Sequence, residues 1–124
     1  MTDEIGMDRN LVAAGATLAG AAVMLGAFGT HALTGRFDAQ ALGWWQTGVQ
    51  YQAWHALAVL TLGSNGSGWV RRPAWMLAAG ALIFAATLYA MALGAPRWLG
   101  AVTPLGGLLM IAGWILLAWR AVRA

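Results

Sequence analysis

The sequence predicts an all-α integral membrane protein: a four-helix up-and-down bundle with both termini in the cytoplasm. Composition is the first observation behind this fold class. Hydrophobic residues make up 60% of the 124 residues, charged residues only 9%, and the mean hydropathy is +0.67. Soluble domains normally carry roughly 25% charge. The second observation is that the charges stand between four long apolar tracts, and the third is the uneven distribution of arginine between the two sides.

Each apolar tract is long enough to cross a hydrocarbon core of roughly 30 Å at about 1.5 Å per residue. The first tract stops before Gly35, and the second follows Asp38, an acceptable N-cap. Pro73 opens the third, and Thr103 is expected to cap the fourth, ahead of Pro104. The spans are therefore predicted at about residues 11–33, 39–63, 73–94 and 104–119, in a single membrane domain over residues 1–124.

Orientation follows from the arginines. With four spans, both termini and the second connection share one side, which holds Arg9, Arg71, Arg72, Arg120 and Arg123. The other side holds Arg36 and Arg97. Because arginine is enriched on the cytoplasmic side, both termini are predicted to be inside. Tryptophans near the span ends predict an inner belt of Trp69, Trp75 and Trp119 and an outer belt of Trp44, Trp45 and Trp98.

The first tract does not have the pattern of a signal peptide. Asp3 and Glu4 precede it where positive charge is required, and it exceeds the usual apolar length of about 7 to 15 residues. We therefore expect a multi-pass protein of the cytoplasmic (inner) membrane, with membrane lipids as partners. The net charge of +3 forms no basic face, so no nucleic-acid partner is expected, and the absence of cysteine excludes thiolate metal sites.

Small residues form a stripe along the first span. They recur at intervals of three and four residues, which places them on one helix face: Gly15, Ala19, Ala22, Gly26 and Gly29. Close approach of two backbones drives helix association in lipid. The stripe is predicted to be a helix-packing face, either toward the second span or toward a partner, which leaves a homo-oligomer or another membrane protein open.

The second span is unusually polar. Tyr51 and His55 lie on a semi-polar stripe, with Gln46 and Gln50 on its flank. Three interpretations compete: these groups hydrogen-bond neighbouring helices, they line a hydrated cavity for a small polar solute or proton, or His55 ligates a cofactor. At a buried position we expect a neutral imidazole that donates one hydrogen bond and accepts another.

Cofactor ligation by both histidines is disfavoured, because His31 lies near the outer turn and the two differ in depth by about 20 Å. No acid lies inside any tract, and no nucleophile, phosphate loop or metal-ligand cluster accompanies His55. We therefore expect no enzymatic activity, no metal and no cofactor. The predicted function is that of a non-enzymatic interaction or accessory module. The alternative is a pocket or conduit for a small polar or amphipathic molecule centred on Tyr51 and His55.

The connection between the first two spans is a further candidate site. His31, Arg36 and Asp38 supply polar groups there, and Arg36 and Asp38 are close enough in sequence to form an ion pair. A helix end, an interfacial arginine and an N-cap explain the same residues without a ligand.

Two segments carry a family resemblance: GAFGTHAL over residues 26–33 and RFDAQALGWWQTGVQYQAWHAL over residues 36–57. With the two spans that follow, they resemble an uncharacterised family of small integral membrane proteins, catalogued as domain of unknown function 423 and related to a small animal transmembrane protein. The resemblance covers nearly the whole chain. It implies a bacterial inner-membrane protein with several helical spans and leaves activity, substrate and cofactor open.

Overall fold

The computed structural model describes residues 6–33 and 35–124. Within these ranges the chain forms four α-helices, α1 (Arg9–Phe28), α2 (Ala39–Asn65), α3 (Arg71–Ala92) and α4 (Thr103–Arg123). A π-helical turn, Gly29–Leu33, extends α1, and short 3₁₀ turns, Gly68–Val70 and Arg97–Ala101, precede α3 and α4. The all-α fold class is confirmed. Asp3 and Glu4, on which the rejection of a signal peptide rests, lie outside the described residues.

Local signals fix most of the helix ends. The Asp38 carboxylate accepts a hydrogen bond from the Ala41 amide at 2.7 Å, as expected of an N-cap. Asp8 caps α1 in the same way, accepting from the Leu11 amide at 3.2 Å. Helix α2 ends at Gly66, whose φ of 73° is the left-handed conformation that favours glycine.

The predicted cap at Thr103 is wrong. Helix α4 begins at Thr103 itself, and the residue at the cap position is Val102, which makes no side-chain cap. The Thr103 hydroxyl instead donates to the Leu99 carbonyl at 3.0 Å, within the preceding 3₁₀ turn. It also lies 2.8 Å from the Thr87 hydroxyl of α3. Because the hydroxyl bonds back to a carbonyl four residues earlier, it is not available to cap α4.

Three helical segments of the described chain are long and apolar enough to cross a membrane: Arg9–Leu33, Gly68–Ala92 and Arg97–Arg123. Helix α2 has 27 residues and sufficient length, but it is less hydropathic than the other three. Four glutamines and a histidine lie along it, namely Gln40, Gln46, Gln50, Gln52 and His55. That α2 also crosses the membrane stays a prediction.

Helices adjacent in sequence pack against each other and run antiparallel. Gly15, early in α1, lies against Leu60, late in α2, while Gly26 lies against Val49. Gly80 of α3 similarly meets Gly106 of α4. Helix α2 contacts both α1 and α3, so its side chains are surrounded from two directions. One apolar cluster fills the end near the chain termini, with Leu11, Val59 and Leu77 at its centre.

The second apolar cluster lies at the opposite end and corrects the predicted position of Trp45. Instead of lying in an outer interfacial belt, Trp45 is only 3% exposed. It packs with Leu33 and Ala92, and its ring lies 4.8 Å from that of Tyr89. Its indole N–H donates to the Leu25 carbonyl of α1 at 2.9 Å. Because Gly29 has no side chain, the indole can lie directly against α1, which draws Trp45 inward.

Candidate functional site: the polar core of α2

His55 lies inside the protein with both ring nitrogens engaged. Its Nδ1 is 2.8 Å from the Tyr51 carbonyl, one turn earlier on α2. A carbonyl can only accept, so Nδ1 must carry the hydrogen. The indole N–H of Trp114 on α4 donates to Nε2 at 3.0 Å, and an indole N–H can only donate. The imidazole therefore donates once and accepts once, and its remaining lone pair is taken by Trp114.

Gln52 lies one turn before the buried Ala56 and, like it, faces the interior of the protein. Its side chain joins three helices. Its amide nitrogen donates to the Leu18 carbonyl of α1 at 2.8 Å. Its amide oxygen accepts from the Tyr89 hydroxyl of α3 at 2.7 Å. The side chain is 5% exposed. Both ends of the amide are thus bonded to different helices, which fixes α2 relative to α1 and α3.

Tyr51 lies beside His55 in a cleft toward α3 and α4. Its ring stacks on the imidazole with the ring centres 6.2 Å apart and contacts Phe84 at 4.7 Å. The cleft has a volume of about 320 Å³ and includes Trp114 in its wall. Most of its lining is apolar, and the His55 nitrogens within it are already bonded, so it offers an aromatic surface with little hydrogen-bonding capacity.

Gln46 and Gln50 lie elsewhere. Both are exposed and line a different cleft of about 240 Å³ between α1 and α2, beside Gly26 and Thr30. The four candidate residues of α2 are therefore divided between two faces of the helix. Tyr51 and His55 face α3 and α4, while the two glutamines border α1 from outside.

The small-residue stripe of α1 is placed against α2. A methyl group added at Gly15 would lie 2.6 Å from the Leu60 backbone nitrogen, and one at Gly26 would lie 3.2 Å from Val49. Gly29 faces the Trp45 indole, Ala22 is 3% exposed, and Ala19 is partly buried. The stripe thus lies at an interface within the chain.

The connection between α1 and α2 does not bring its candidate residues together into a site. His31 and Arg36 are exposed, and Asp38 is engaged as the cap of α2. The predicted ion pair between Arg36 and Asp38 is not formed. Over residues 6–33 and 35–124, the one ion pair joins Asp8 and Arg71, at 3.7 Å. The capping geometry turns the Asp38 carboxylate toward the helix amides and away from Arg36.

Three residues of the polar core were not among the sequence candidates: Gln52, Tyr89 and Trp114. Gln52 carries a weak signal, because it lies three residues before His55 and so on a neighbouring helix position. Tyr89 and Trp114 carry none, since their partners are 37 and 59 residues away in sequence.

The arrangement is suited to holding helices together. Throughout the described ranges, every buried side-chain nitrogen and oxygen has a hydrogen-bond partner. In the same ranges, no three side chains of His, Cys, Asp or Glu lie close enough together to hold a metal ion. The imidazole is bonded at both nitrogens and the Gln52 amide at both its nitrogen and its oxygen, so a ligand would find none of these atoms without a partner.

Comparison with known proteins places this helical chain in a family. Residues 25–107 match the model of the family described as "Protein of unknown function (DUF423)". The chain belongs to this family. The inner membrane protein YgdD of Escherichia coli (strain K12) is 42% identical over 105 residues, which cover 82% of this chain and 80% of the relative. The membrane protein YwdK of Bacillus subtilis (strain 168) is 39% identical over 107 residues, 82% of this chain and 87% of the relative.

A third relative, the membrane protein SH2409 of Staphylococcus haemolyticus (strain JCSC1435), is 41% identical over 95 residues, 74% of this chain and 78% of the relative. No solved structure matches the chain. Together with the apolar helices, the membrane and inner-membrane relatives establish a multi-pass protein of the cytoplasmic membrane. The match to residues 25–107 includes Gln52, His55 and Tyr89.

Proposed function

We propose that this DUF423 protein is a non-enzymatic interaction or accessory module of the cytoplasmic membrane. Its four helices form an up-and-down bundle with both termini in the cytoplasm, and α2 crosses the membrane with the other three. In this proposal the polar residues of α2 hold the bundle together, and the outer surface of the bundle meets lipids and membrane-protein partners.

One observation carries the proposal: the two buried polar side chains of α2, Gln52 and His55, are bonded to other parts of the same chain. His55 bonds to Tyr51 and Trp114, and Gln52 bonds to Leu18 and Tyr89. A solute pathway needs polar groups that exchange partners with the solute. Here an exchange at His55 Nε2 or at either end of the Gln52 amide would first break an interhelical hydrogen bond.

Antiparallel packing of α1 on α2, α2 on α3 and α3 on α4 supports the up-and-down connectivity. The arginine distribution supports the orientation, since five arginines share the side of the termini and two lie on the other. Reporter fusions at the C-terminus test it, and a reporter that is active only outside the cytoplasm should be inactive there.

The pocket centred on Tyr51 and His55 is the less favoured function. Its cleft exists, at about 320 Å³, but a ligand would find the imidazole already bonded to Trp114. Gln46 and Gln50, the other two candidate residues of α2, lie on a different face of the helix.

Proteoliposomes separate the two functions. We expect wild-type protein to pass protons and small polar solutes no faster than protein-free vesicles do. We expect His55→Ala to lower the unfolding temperature in detergent and to leave the flux unchanged. The exposed Gln50→Leu is the matched control on the same helix and should alter neither property. A wild-type flux above that of protein-free vesicles, lost in a stably folded His55→Ala protein, would overturn the proposal.

A further inference from the structure

The end of the molecule that holds the chain termini carries a cleft lined by three arginines. Arg71 and Arg72 begin α3, Arg120 lies in the last turn of α4, and Gly68 and Trp75 complete the wall of a cleft of about 380 Å³. This cleft is remote from the polar core of α2.

The positive charge of this cleft is only partly compensated. Asp8 pairs with Arg71 at 3.7 Å, and Arg71 remains 51% exposed. Arg120 donates to the Trp69 carbonyl at 3.2 Å, which holds its guanidinium over the start of α3 and neutralises no charge. Among the described residues, Arg72 has no hydrogen-bond or ion-pair partner. Among the described side chains of the cleft, three guanidinium groups and one carboxylate therefore leave two positive charges for an anion.

An apolar groove begins where the cationic cleft ends. It has a volume of about 580 Å³ and is lined almost entirely by apolar atoms of α1 and α3. Trp75 belongs to both cavities. Small side chains on both helices leave the groove recessed, namely Ala13, Ala14, Ala78 and Ala79. From Trp75 the groove follows α3 to Leu82, which at about 1.5 Å per residue is about 10 Å, a third of the hydrocarbon core.

We propose that the cationic cleft and the apolar groove together bind one anionic phospholipid. Its phosphate is held by Arg71, Arg72 and Arg120, and one acyl chain lies in the groove below Trp75. Basic pockets between membrane helices bind anionic headgroups, and arginine presents a planar fork that matches phosphate oxygens. A tryptophan at this level suits the boundary between headgroups and chains. This inference goes beyond the proposed function and does not require the cytoplasmic orientation.

A binding titration tests the assignment. Phosphatidylglycerol carries a fluorophore at the end of one acyl chain, away from the headgroup. Its binding to purified full-length protein in neutral detergent is titrated, and the fluorescence anisotropy is measured. Unlabelled phosphatidylglycerol should displace the labelled lipid, while phosphatidylcholine, whose headgroup has no net charge, should be at least about fivefold weaker. Inorganic phosphate alone should not displace it. Displacement by phosphate as effective as by the lipid would reveal a free-anion site and overturn the lipid assignment, as would equal potency of the two lipids.

Matched variants locate the site. Arg72→Gln should raise the Kd about fivefold, and the double change with Arg120→Gln should raise it further. Arg123→Gln, at the same end of α4 but outside the cleft, should leave the Kd unchanged.

Ala79→Phe fills the groove without altering charge and should weaken binding, whereas Ala86→Phe, exposed two turns further along α3, should not. Arg72 and Ala79 are exposed, so folded protein is expected for both. An unchanged Kd in Arg72→Gln, or an equal loss in Arg123→Gln, would refute the headgroup site; an unchanged Kd in Ala79→Phe would refute the groove.

Discussion

The hydrogen bond between Gln52 and Tyr89 should contribute measurably to the stability of the fold. Replacing Gln52 by leucine keeps a side chain of similar volume and removes two interhelical hydrogen bonds, to Leu18 and from Tyr89. Interhelical hydrogen bonds in membrane proteins average about 0.6 kcal/mol, with a maximum of about 1.7. Gln52→Leu should therefore lower the free energy of unfolding by about 1 to 3 kcal/mol.

A double-mutant cycle isolates the single bond. Tyr89→Phe removes only the hydroxyl and should cost about 0.6 to 1.7 kcal/mol. Because Gln52→Leu has already lost this bond, the double variant should be less destabilised than the sum of the two single changes, by the energy of the bond. Equilibrium unfolding in mixed micelles with increasing sodium dodecyl sulfate, followed by circular dichroism, measures all four proteins.

Gln50→Leu is the matched control, since Gln50 is an exposed glutamine two residues away on the same helix. It should change stability by no more than about 0.5 kcal/mol. A coupling energy between Gln52→Leu and Tyr89→Phe that is indistinguishable from zero would refute the assignment of Gln52 as an interhelical link. Equal free energies of unfolding for Gln52→Leu and Gln50→Leu would refute it as well.

Three further changes test other contacts by the same unfolding measurement. Gly15→Ala should destabilise by about 1 to 3 kcal/mol, because its methyl group would lie 2.6 Å from the Leu60 backbone nitrogen, whereas Gly20→Ala, with nothing within 4 Å, should be neutral or stabilising. Equal effects of the two would contradict the close contact between α1 and α2. Trp114→Phe should cost about 0.6 to 1.7 kcal/mol and shift the nitrogen-15 resonance of His55 Nε2, while the exposed Trp119→Phe should do neither; an unmoved resonance would show that the two rings are not bonded. Asp8→Ala should cost about 1 to 2 kcal/mol and Asp8→Asn much less, since asparagine also caps helices; equal losses would assign the effect to the ion pair with Arg71.

Sequence reasoning predicted the features that short-range signals determine. Asp38 caps α2 because a carboxylate three residues before an amide can reach it, and this depends on nothing distant. Gly94, with φ of 105°, follows the C-cap residue Leu93, two residues after the end of α3, for the same local reason. Spacing of three and four residues was also sufficient to put Gly15 and Gly26 on one face of α1.

The partners in the polar core could not be predicted in this way. Spacing along α2 put Gln50 and His55 in one group, but the structure turns His55 toward α4 and leaves Gln50 outside. Which face of α2 turns inward depends on the positions of Leu18, Tyr89 and Trp114 on three other helices. The prediction for Trp45 was wrong for a related reason. Its position near the start of α2 suited an interfacial belt, but Gly29 has no side chain, and this allows the Trp45 ring to lie inside the protein.

The low hydropathy of α2 and its position between α1 and α3 are connected. An unpartnered glutamine or histidine in the hydrocarbon is costly, so a helix with four glutamines and a histidine is poorly suited to crossing a bilayer alone. In the folded chain Leu18, Tyr89 and Trp114 supply Gln52 and His55 with the partners that lipid cannot. Helices α1, α3 and α4 have no such requirement, since each is apolar enough by itself. In the proposed four-span bundle, α2 therefore depends on its neighbours to stay in the membrane, and loss of the Gln52 bonds should release α2 before the other three.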